Sequence, residues 1–116
     1  MSYNKYRAVK TELEGIVFDS KMESRRYAEL RLLEQAGVIS DLVLQPEFEL
    51  IPAFVDNQGK KERRVIWTLD FMYHEDGWCV VEDTKSEQTR KARDYQLRRK
   101  LFKLKYPQYT YRETTA

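Results

Sequence analysis

The sequence predicts an α/β fold, in which helices flank a mixed four-stranded sheet and the elements follow the order α-β-β-β-α-β. Three observations lead to this prediction. A helical apolar pattern begins near residue 20, strand-forming segments fill the middle of the chain, and a second helical pattern precedes a short last strand. The 116 residues, of which 41% are hydrophobic, suit one modest core, so we expect a single domain over 1–116.

The first helix is predicted over residues 20–35. Ser20 and Glu23 match a capping box, in which the two side chains satisfy backbone N–H groups at the start of a helix. Apolar residues then recur at helical spacing, and Gly37 provides the stop signal.

The remaining elements are predicted mainly from turn and breaker residues. A strand is expected at 42–50, a loop at 52–60, and a hairpin of two strands at 64–73 and 78–84. A helix is expected at 89–105 and a last strand at 108–112. Pro46 interrupts the first strand and favours an edge position or a bulge. Asp76 and Gly77 are typical of a two-residue hairpin turn, and Pro107 ends the second helix.

The hairpin is expected to gather two carboxylates and a lysine. With Asp76 and Gly77 at the turn, Asp70 lies opposite Asp83, with about 4.5–5.5 Å between the Cβ atoms. Facing carboxylates repel unless a cation lies between them, and oxygen ligands suit Mg²⁺. Side chains alternate along a strand, so Lys85 projects from the same face as Asp83. The pattern predicts a metal site beside an ammonium group, and a surface salt-bridge cluster is the alternative.

Glu23 has two interpretations on local grounds. It could act only as the glutamate of the capping box. It also lies in the helical row of Tyr27 and Leu30, the side that turns toward the sheet, where a carboxylate could serve the site. Both roles stay open at this point.

Composition excludes several classes of function. His74 is the one histidine and Cys79 the one cysteine, which excludes a zinc site built from several such ligands and a disulfide framework. The four glycines form no phosphate-binding loop. We expect a reduced Cys79 and, because neither a signal peptide nor a membrane-spanning apolar run is present, a cytoplasmic protein with no membrane partner.

The net charge of +2 conceals a strongly basic segment. Residues 86–106 contain eight lysines and arginines against Glu87 and Asp94. Such a helix is often only solvated, but this excess favours DNA phosphates, with an acidic protein partner as the alternative. The predicted DNA contacts are Arg90, Arg93, Arg98, Arg99 and Lys100.

Two further basic segments lie outside this helix. Residues 1–15 mix cations with tyrosines and are predicted to form an N-terminal arm, whose rings could stack on unpaired bases. The loop before the central strand contributes the cations Lys60, Lys61, Arg63 and Arg64. Both segments could bind a phosphate backbone.

Three segments carry a family resemblance: 18–23, 69–71 and 81–86. Together they resemble the PD-(D/E)XK nuclease superfamily. Their amino-acid sequences are similar to those of small phage endonucleases such as phage endonuclease I and phage Holliday junction resolvases. The resemblance covers roughly residues 17–107. Leu69 stands where the motif has proline, and Ser86 follows the lysine where glycine is frequent.

The resemblance implies a restriction-endonuclease-like core and a nuclease site. Glu23 corresponds to the acid on the helix, Asp70 and Asp83 to the metal-binding acids, and Lys85 to the catalytic lysine. Asp70, Asp83 and the carbonyl of Thr84 would hold Mg²⁺, with Mn²⁺ as a substitute. Lys85 would orient the attacking water or stabilise the transition-state charge, and Glu23 would help to hold that water or a second ion.

The expected substrate is branched DNA, such as a Holliday junction or a flap. The chain is short for a separate base-reading domain, so DNA shape is the expected basis of recognition. Resolving a junction requires two cuts, which implies a homodimer. The resemblance also suggests a bacterial host cell, with the protein encoded by a phage or prophage. Two other functions stay open: a nuclease subunit of a transposase-like or restriction-like complex, and a non-catalytic nucleic-acid-binding protein.

Overall fold

The computed structural model describes residues 11–13, 15–18 and 20–115. In chain order its elements are β1 (Thr11–Leu13), β2 (Ile16–Phe18), α1 (Lys21–Gln35), β3 (Ser40–Leu44), β4 (Glu47–Ile51), β5 (Phe54–Val55), β6 (Lys61–Glu62), β7 (Val65–Thr68), β8 (Phe71–Glu75), β9 (Trp78–Thr84), α2 (Glu87–Arg90), α3 (Arg93–Lys105) and β10 (Thr110–Thr114). No helix among the described residues is long and apolar enough to cross a membrane.

The main sheet has four strands in the order β10-β9-β8-β3. β10 runs parallel to β9, whereas β8 is antiparallel to both β9 and β3. The expected mixed four-stranded sheet with helices is therefore confirmed. Three two-stranded sheets lie outside it, formed by β1 with β2, β4 with β7, and β5 with β6.

Two hydrophobic clusters cover the two faces of the main sheet. The cluster on the α1 side contains Phe18, Tyr27, Leu30, Ile39, Phe71, Tyr73 and Val80. The cluster on the α3 side contains Phe48, Leu50, Trp67, Leu69, Val81, Tyr95 and Phe102. Since Val80 and Val81 face opposite sides, alternation along β9 directs Glu82 toward α1 and Asp83 toward α3.

The hairpin of β8 and β9 has the expected turn and register. Asp76 and Gly77 both have positive φ, 50° and 83°, as a type I′ turn requires. Pairing extends from the turn to Phe71 opposite Glu82. Asp70 is therefore the residue immediately before β8, at the end of the hairpin that the sequence predicts to form the site.

Two expected strands are each divided in the structure. The division of the first lies at the interruption predicted for Pro46, whereas predicting the second as continuous was wrong. The segment 42–50 separates into β3, in the main sheet, and β4, which pairs with β7. The segment 64–73 separates into β7 and β8. At the first division Gln45 has a φ of 52° and its N–H donates to the Asp70 carbonyl at 2.9 Å, while Pro46 has no N–H to continue a ladder.

The first helix is confirmed, and its cap has the expected serine. The Ser20 hydroxyl accepts the Glu23 N–H at 3.1 Å. The basic helix expected over 89–105 is instead two helices, α2 and α3, because the backbone at Ala92 is extended, with φ of −67° and ψ of 135°.

The remaining differences concern the two ends of the chain and one loop. The last strand lies at Thr110–Thr114, so both of its ends are shifted by two residues from the predicted range 108–112. The loop expected over 52–60 contains β5. Within the predicted arm at 1–15, residues 11–13 form β1, which pairs with β2. Residues 1–10 and 14 of that arm lie outside the described residues.

Candidate active site

The end of β9 and the residue before β8 bring Asp70, Asp83 and Lys85 together. The N–H of Thr84 donates to Asp70 Oδ2 at 2.6 Å. The N–H of Asp70 donates to the Glu82 carbonyl at 3.2 Å. Asp70 is therefore bonded to β9 both through its main chain and through its carboxylate. Lys85 Nζ lies 3.4 Å from Asp83 Oδ2.

Asp83 is a buried carboxylate without a hydrogen bond. Its side chain is fully buried, and neither of its oxygens has a hydrogen-bond partner among the described residues. Burial and the charge of Asp70 raise the pKa of Asp83 to about 8, although the Lys85 ammonium opposes this shift. The Lys85 ammonium at 3.4 Å offsets the charge of Asp83 only in part, and buried oxygens that lack hydrogen bonds are costly unless an ion or a water binds them.

The neighbouring acid, Glu82, is equally buried but fully bonded. It accepts hydrogen bonds from Arg26 Nε at 2.7 Å and Nη2 at 2.9 Å, and from the Tyr73 hydroxyl at 2.6 Å. The Thr114 hydroxyl adds a bond of 3.2 Å. Glu82 is therefore committed to holding α1 and β10 on the sheet, and Asp83 is the acid of the pair that can bind something else.

The residues at this point fit one hard divalent cation. Asp70 and Asp83 offer carboxylate oxygens. In an extended strand the N–H and C=O of one residue point toward the same neighbour, so the carbonyl of Thr84 lies on the side of Asp70. Mg²⁺ is commonly held by one or two carboxylates and keeps several waters. Among the described residues, no group of three or more His, Cys, Asp or Glu side chains could hold a metal.

Glu23 lies on the other side of the sheet from Asp83. It is buried in the first turn of α1, and Arg26, three residues further along the same helix, binds Glu82. Glu82 and Asp83 point to opposite faces of β9, so Glu23 and Asp83 do not share a face. Glu23 could act on an ion held by Asp83 only around the end of β9.

Two of the predicted DNA contacts are engaged by an acid of β10. Arg90 Nε lies 2.5 Å from Glu113 Oε1, and Arg99 Nη1 lies 3.8 Å from Glu113 Oε2. The Tyr95 hydroxyl also donates to Glu113 and bonds to the Tyr111 hydroxyl. Burial raises the pKa of Glu113, but the bonds from Tyr95 and Arg90 outweigh it and leave the pKa below its usual value. A phosphate at Arg90 or Arg99 would compete with this carboxylate.

The other predicted DNA contacts are more open. Arg98 Nη2 lies 3.5 Å from Asp94 Oδ2, one helical turn earlier. Arg93 and Lys100 are exposed, and within the described part of the chain no carboxylate lies within 4.0 Å of either. Among the five predicted contacts, these two side chains can meet a phosphate without giving up an ion pair.

A protein-family model matches residues 3–115, and its description is "Protein of unknown function (DUF1064)". The chain belongs to the DUF1064 family. No curated protein and no solved structure matches it. Because the family description assigns no activity, the function of this DUF1064 chain has to be inferred from the site itself.

A groove of about 350 Å³ opens beside Thr84, and sequence patterns gave no sign of it. It lies between α1 and the end of β10, and its lining consists of Met22, Arg25, Arg26, Glu29, Thr84, Thr114 and Thr115. Arg25 is exposed there, with no carboxylate within 4.0 Å among the described side chains. The groove thus offers a cation and hydroxyl groups next to the candidate metal ligands.

We expect Tyr73→Phe to lower the free energy of unfolding by about 1.5–3 kcal/mol, the usual value of a hydrogen bond to a charged group. The substitution removes the bond that the Tyr73 hydroxyl donates to the buried Glu82 carboxylate, and also the bond that it accepts from Arg112 Nη1 at 2.9 Å. Urea denaturation measures the change. Tyr109→Phe is the matched control, because within the described structure its hydroxyl makes no hydrogen bond to protein. Equal stability of the two variants would mean that Glu82 does not depend on Tyr73.

Proposed function

We propose that this chain is a Mg²⁺-dependent DNA endonuclease that hydrolyses phosphodiester bonds, with a preference for branched DNA. The observation that carries the proposal is the buried Asp83 carboxylate, whose oxygens find no hydrogen-bond partner among the described residues and which lies beside Asp70 and Lys85. A hard cation would relieve the repulsion between the two carboxylates, and it would also neutralise the negative charge of a phosphodiester substrate.

The order of the core elements supports the proposal. If the hairpins β4 to β7 are treated as an insertion between β3 and β8, the sheet and its two long helices follow the order α1-β3-β8-β9-α3-β10. This is the α-β-β-β-α-β order expected of a restriction-endonuclease-like core. The candidate acids and lysine then lie at the start of the second strand and at the end of the third, in agreement with the resemblance.

The chemistry follows from the charge of the substrate, which repels hydroxide. A bound Mg²⁺ or Mn²⁺ would neutralise a phosphate oxygen and lower the pKa of a bound water. Asp70, Asp83 and the Thr84 carbonyl would hold the ion, with Asp83 in its ionised form. Lys85, already 3.4 Å from Asp83, would stabilise the negative charge that grows on the phosphorus oxygens and orient the attacking water.

The distribution of unpaired cations supports a branched substrate. Arg25 borders the groove on the α1 side of the site, whereas Arg93 and Lys100 lie on α3, which covers the other face. Cations on both sides of one site suit two DNA arms that leave a branch at an angle. Cutting a junction in two strands would require two such sites, so the proposed active form is a homodimer.

The test is cleavage by the purified full chain. We expect Mg²⁺ and Mn²⁺ to support paired nicks in opposing strands of a four-way junction, in preference to linear duplex of the same sequence, and Ca²⁺ to support binding with little cleavage. Strand-labelled junctions on denaturing gels map the nicks, and the mass in solution gives the oligomeric state.

Lys85→Ala separates catalysis from binding in the same assay. Cleavage should fall about 10²–10³-fold, the usual loss of one transition-state stabilising group, while DNA affinity stays near wild type. Lys105→Ala is the matched control, because Lys105 pairs with Glu49 at 3.7 Å at the other end of α3. Full activity in Lys85→Ala would refute the assignment. Equal cutting of duplex and junction would refute only the branch preference, and DNA binding without cleavage would favour a partner-dependent or non-catalytic role.

A further inference from the structure

A two-stranded arm, residues 51–65, extends the hairpin of β4 and β7 away from the main sheet. Its pairing runs from Ile51 opposite Val65 to Val55 opposite Lys61, and among the described strands those of the arm pair with no strand outside it. Five residues of extended strand span about 17 Å, at roughly 3.3 Å per residue. The arm is therefore a narrow ribbon attached at one end to the body of the protein.

Burial changes sharply where the arm begins. The base of the hairpin is anchored by Phe48, Leu50 and Trp67, which are buried on the α3 side. Beyond it, the apolar side chains are 36% to 60% exposed; they are Ile51, Phe54, Val55 and Val65. An isolated hairpin is marginally stable in water, so exposed apolar groups on one indicate a surface that meets a partner.

The same arm carries a cluster of cations. Lys60, Lys61, Arg63 and Arg64 are all exposed. Lys60 Nζ lies 3.9 Å from Glu62, whereas no carboxylate of the described chain lies within 4.0 Å of the other three. The second acid, Asp56, is occupied in shaping the turn, since its Oδ1 accepts the N–H groups of Gln58 and Lys60 at 2.8 and 2.9 Å.

We propose that this arm is a DNA-binding ribbon that lies in a groove of the duplex next to the cleaved strand. Lys61, Arg63 and Arg64 contact phosphates. Phe54 and Val55 point to opposite faces of the ribbon, so one of them faces the base edges and the other faces the sugars along the groove. A two-stranded ribbon fits the major groove, which is about 12 Å wide. The inference rests on the proposed nuclease function and adds the element that holds the substrate's flanking duplex.

A second copy of the chain is the other occupant to consider. A two-fold dimer joins the same surface of both subunits, so an arm-to-arm contact would bring the cations of one arm against those of its partner. Phosphates meet the cations with opposite charge and leave the apolar side chains free to enter the groove. Charge complementarity therefore favours duplex DNA.

The test uses binding, so that it does not depend on cleavage. Fluorescence anisotropy with a linear duplex in Ca²⁺ compares the wild-type full chain with the triple variant Lys61→Ala, Arg63→Ala and Arg64→Ala. We expect affinity to fall at least about tenfold near 0.15 M salt, and the slope of log K against log salt to flatten by about 2–3, close to 0.9 for each lost phosphate contact. The control variant exchanges lysine and arginine at the same positions, and it should keep both quantities.

Replacing the apolar side chains of the arm should have a different effect on DNA binding from replacing its cations. Phe54→Ser with Val55→Ser should weaken binding without changing the salt slope, because these side chains do not neutralise phosphates. Wild-type affinity and slope in the triple-alanine variant would overturn the proposal, as would loss of self-association with unchanged DNA affinity, which would make the arm a dimer contact. A chain that binds duplex through the arm but cuts no DNA would refute the nuclease function alone.

Discussion

Replacing Asp83 with asparagine is expected to abolish DNA cleavage and to stabilise the metal-free protein. Cleavage should fall by about 10³-fold or more, because the ion loses a charged ligand. Stability should rise because burial and the charge of Asp70 outweigh the Lys85 ion pair at this fully buried carboxylate, as the direction of its pKa shift indicates. Removing its charge takes away a desolvation cost that the folded protein otherwise carries.

The gain in stability should depend on pH in a defined direction. The pKa of Asp83 is raised from 3.8 to about 8 by burial and by the charge of Asp70. The folded wild type therefore retains a proton that the unfolded chain releases, and loses stability as pH rises from about 4 to about 8. The variant lacks this loss, so the difference between them should grow by up to about 1.4 kcal/mol per pH unit and level off above pH 8.

Glu82→Gln is the matched control, one residue away and with the same change of charge. Glu82 accepts two hydrogen bonds from Arg26, so neutralising it takes an ionic partner from the guanidinium, which keeps its pair with the exposed Glu29 at 2.9 Å. We expect a loss of stability, smaller than the about 3–5 kcal/mol of a fully buried pair because Arg26 keeps 19% of its side chain exposed. Denaturation in a chelator from pH 5 to 9 measures both variants. Equal stability of Asp83→Asn and wild type across that range would contradict the interpretation that the buried Asp83 carboxylate destabilises the metal-free protein.

The cluster of Asp70, Asp83 and Lys85 could be predicted because it depends on local signals. Asp76 and Gly77 fix a two-residue turn, the turn fixes the register, and the register brings the three side chains to one point. Nothing distant in sequence is required for that step. The mixed four-stranded sheet was predictable for a related reason, since turn and breaker residues near the strands are local signals as well.

The different roles of two neighbouring acids could not be predicted in this way. The carboxylate of Glu82 has its hydrogen bonds because Arg26, which lies 56 residues earlier in the chain, donates to it from α1. Likewise, Glu113 engages Arg90 and Arg99 only because β10 lies parallel to β9. Such pairings depend on the tertiary arrangement, which periodicity within one segment does not encode.

The arm escaped prediction for a different reason. Residues 52–60 contain Pro52, Gly59 and polar residues that are typical of a loop, and β5 and β6 are two residues long each. The strands exist because the longer pairing of β4 with β7 continues into them after a bulge between Glu49 and Ile51. A short strand that is held by its neighbour has little signal of its own.

The affinity for Mg²⁺ is expected to rise about tenfold per pH unit between pH 6 and 8, about a hundredfold in all, and to become constant above pH 8. Asp83 must be ionised to bind the cation, and burial with the charge of Asp70 holds its pKa at about 8. Each ion bound below that pH therefore displaces one proton, and the proton competes with the metal.

Calorimetric titration with Mg²⁺ in two buffers of different ionisation enthalpy measures this directly. About one proton should be released per ion near pH 6, and almost none above pH 9. Asp83→Asn should abolish both the binding and the proton release. Asp76→Asn is the control, because Asp76 lies at the opposite end of the hairpin and its φ of 50° is one that asparagine adopts readily. An affinity that does not change between pH 6 and 8 would show that the cation is held without Asp83.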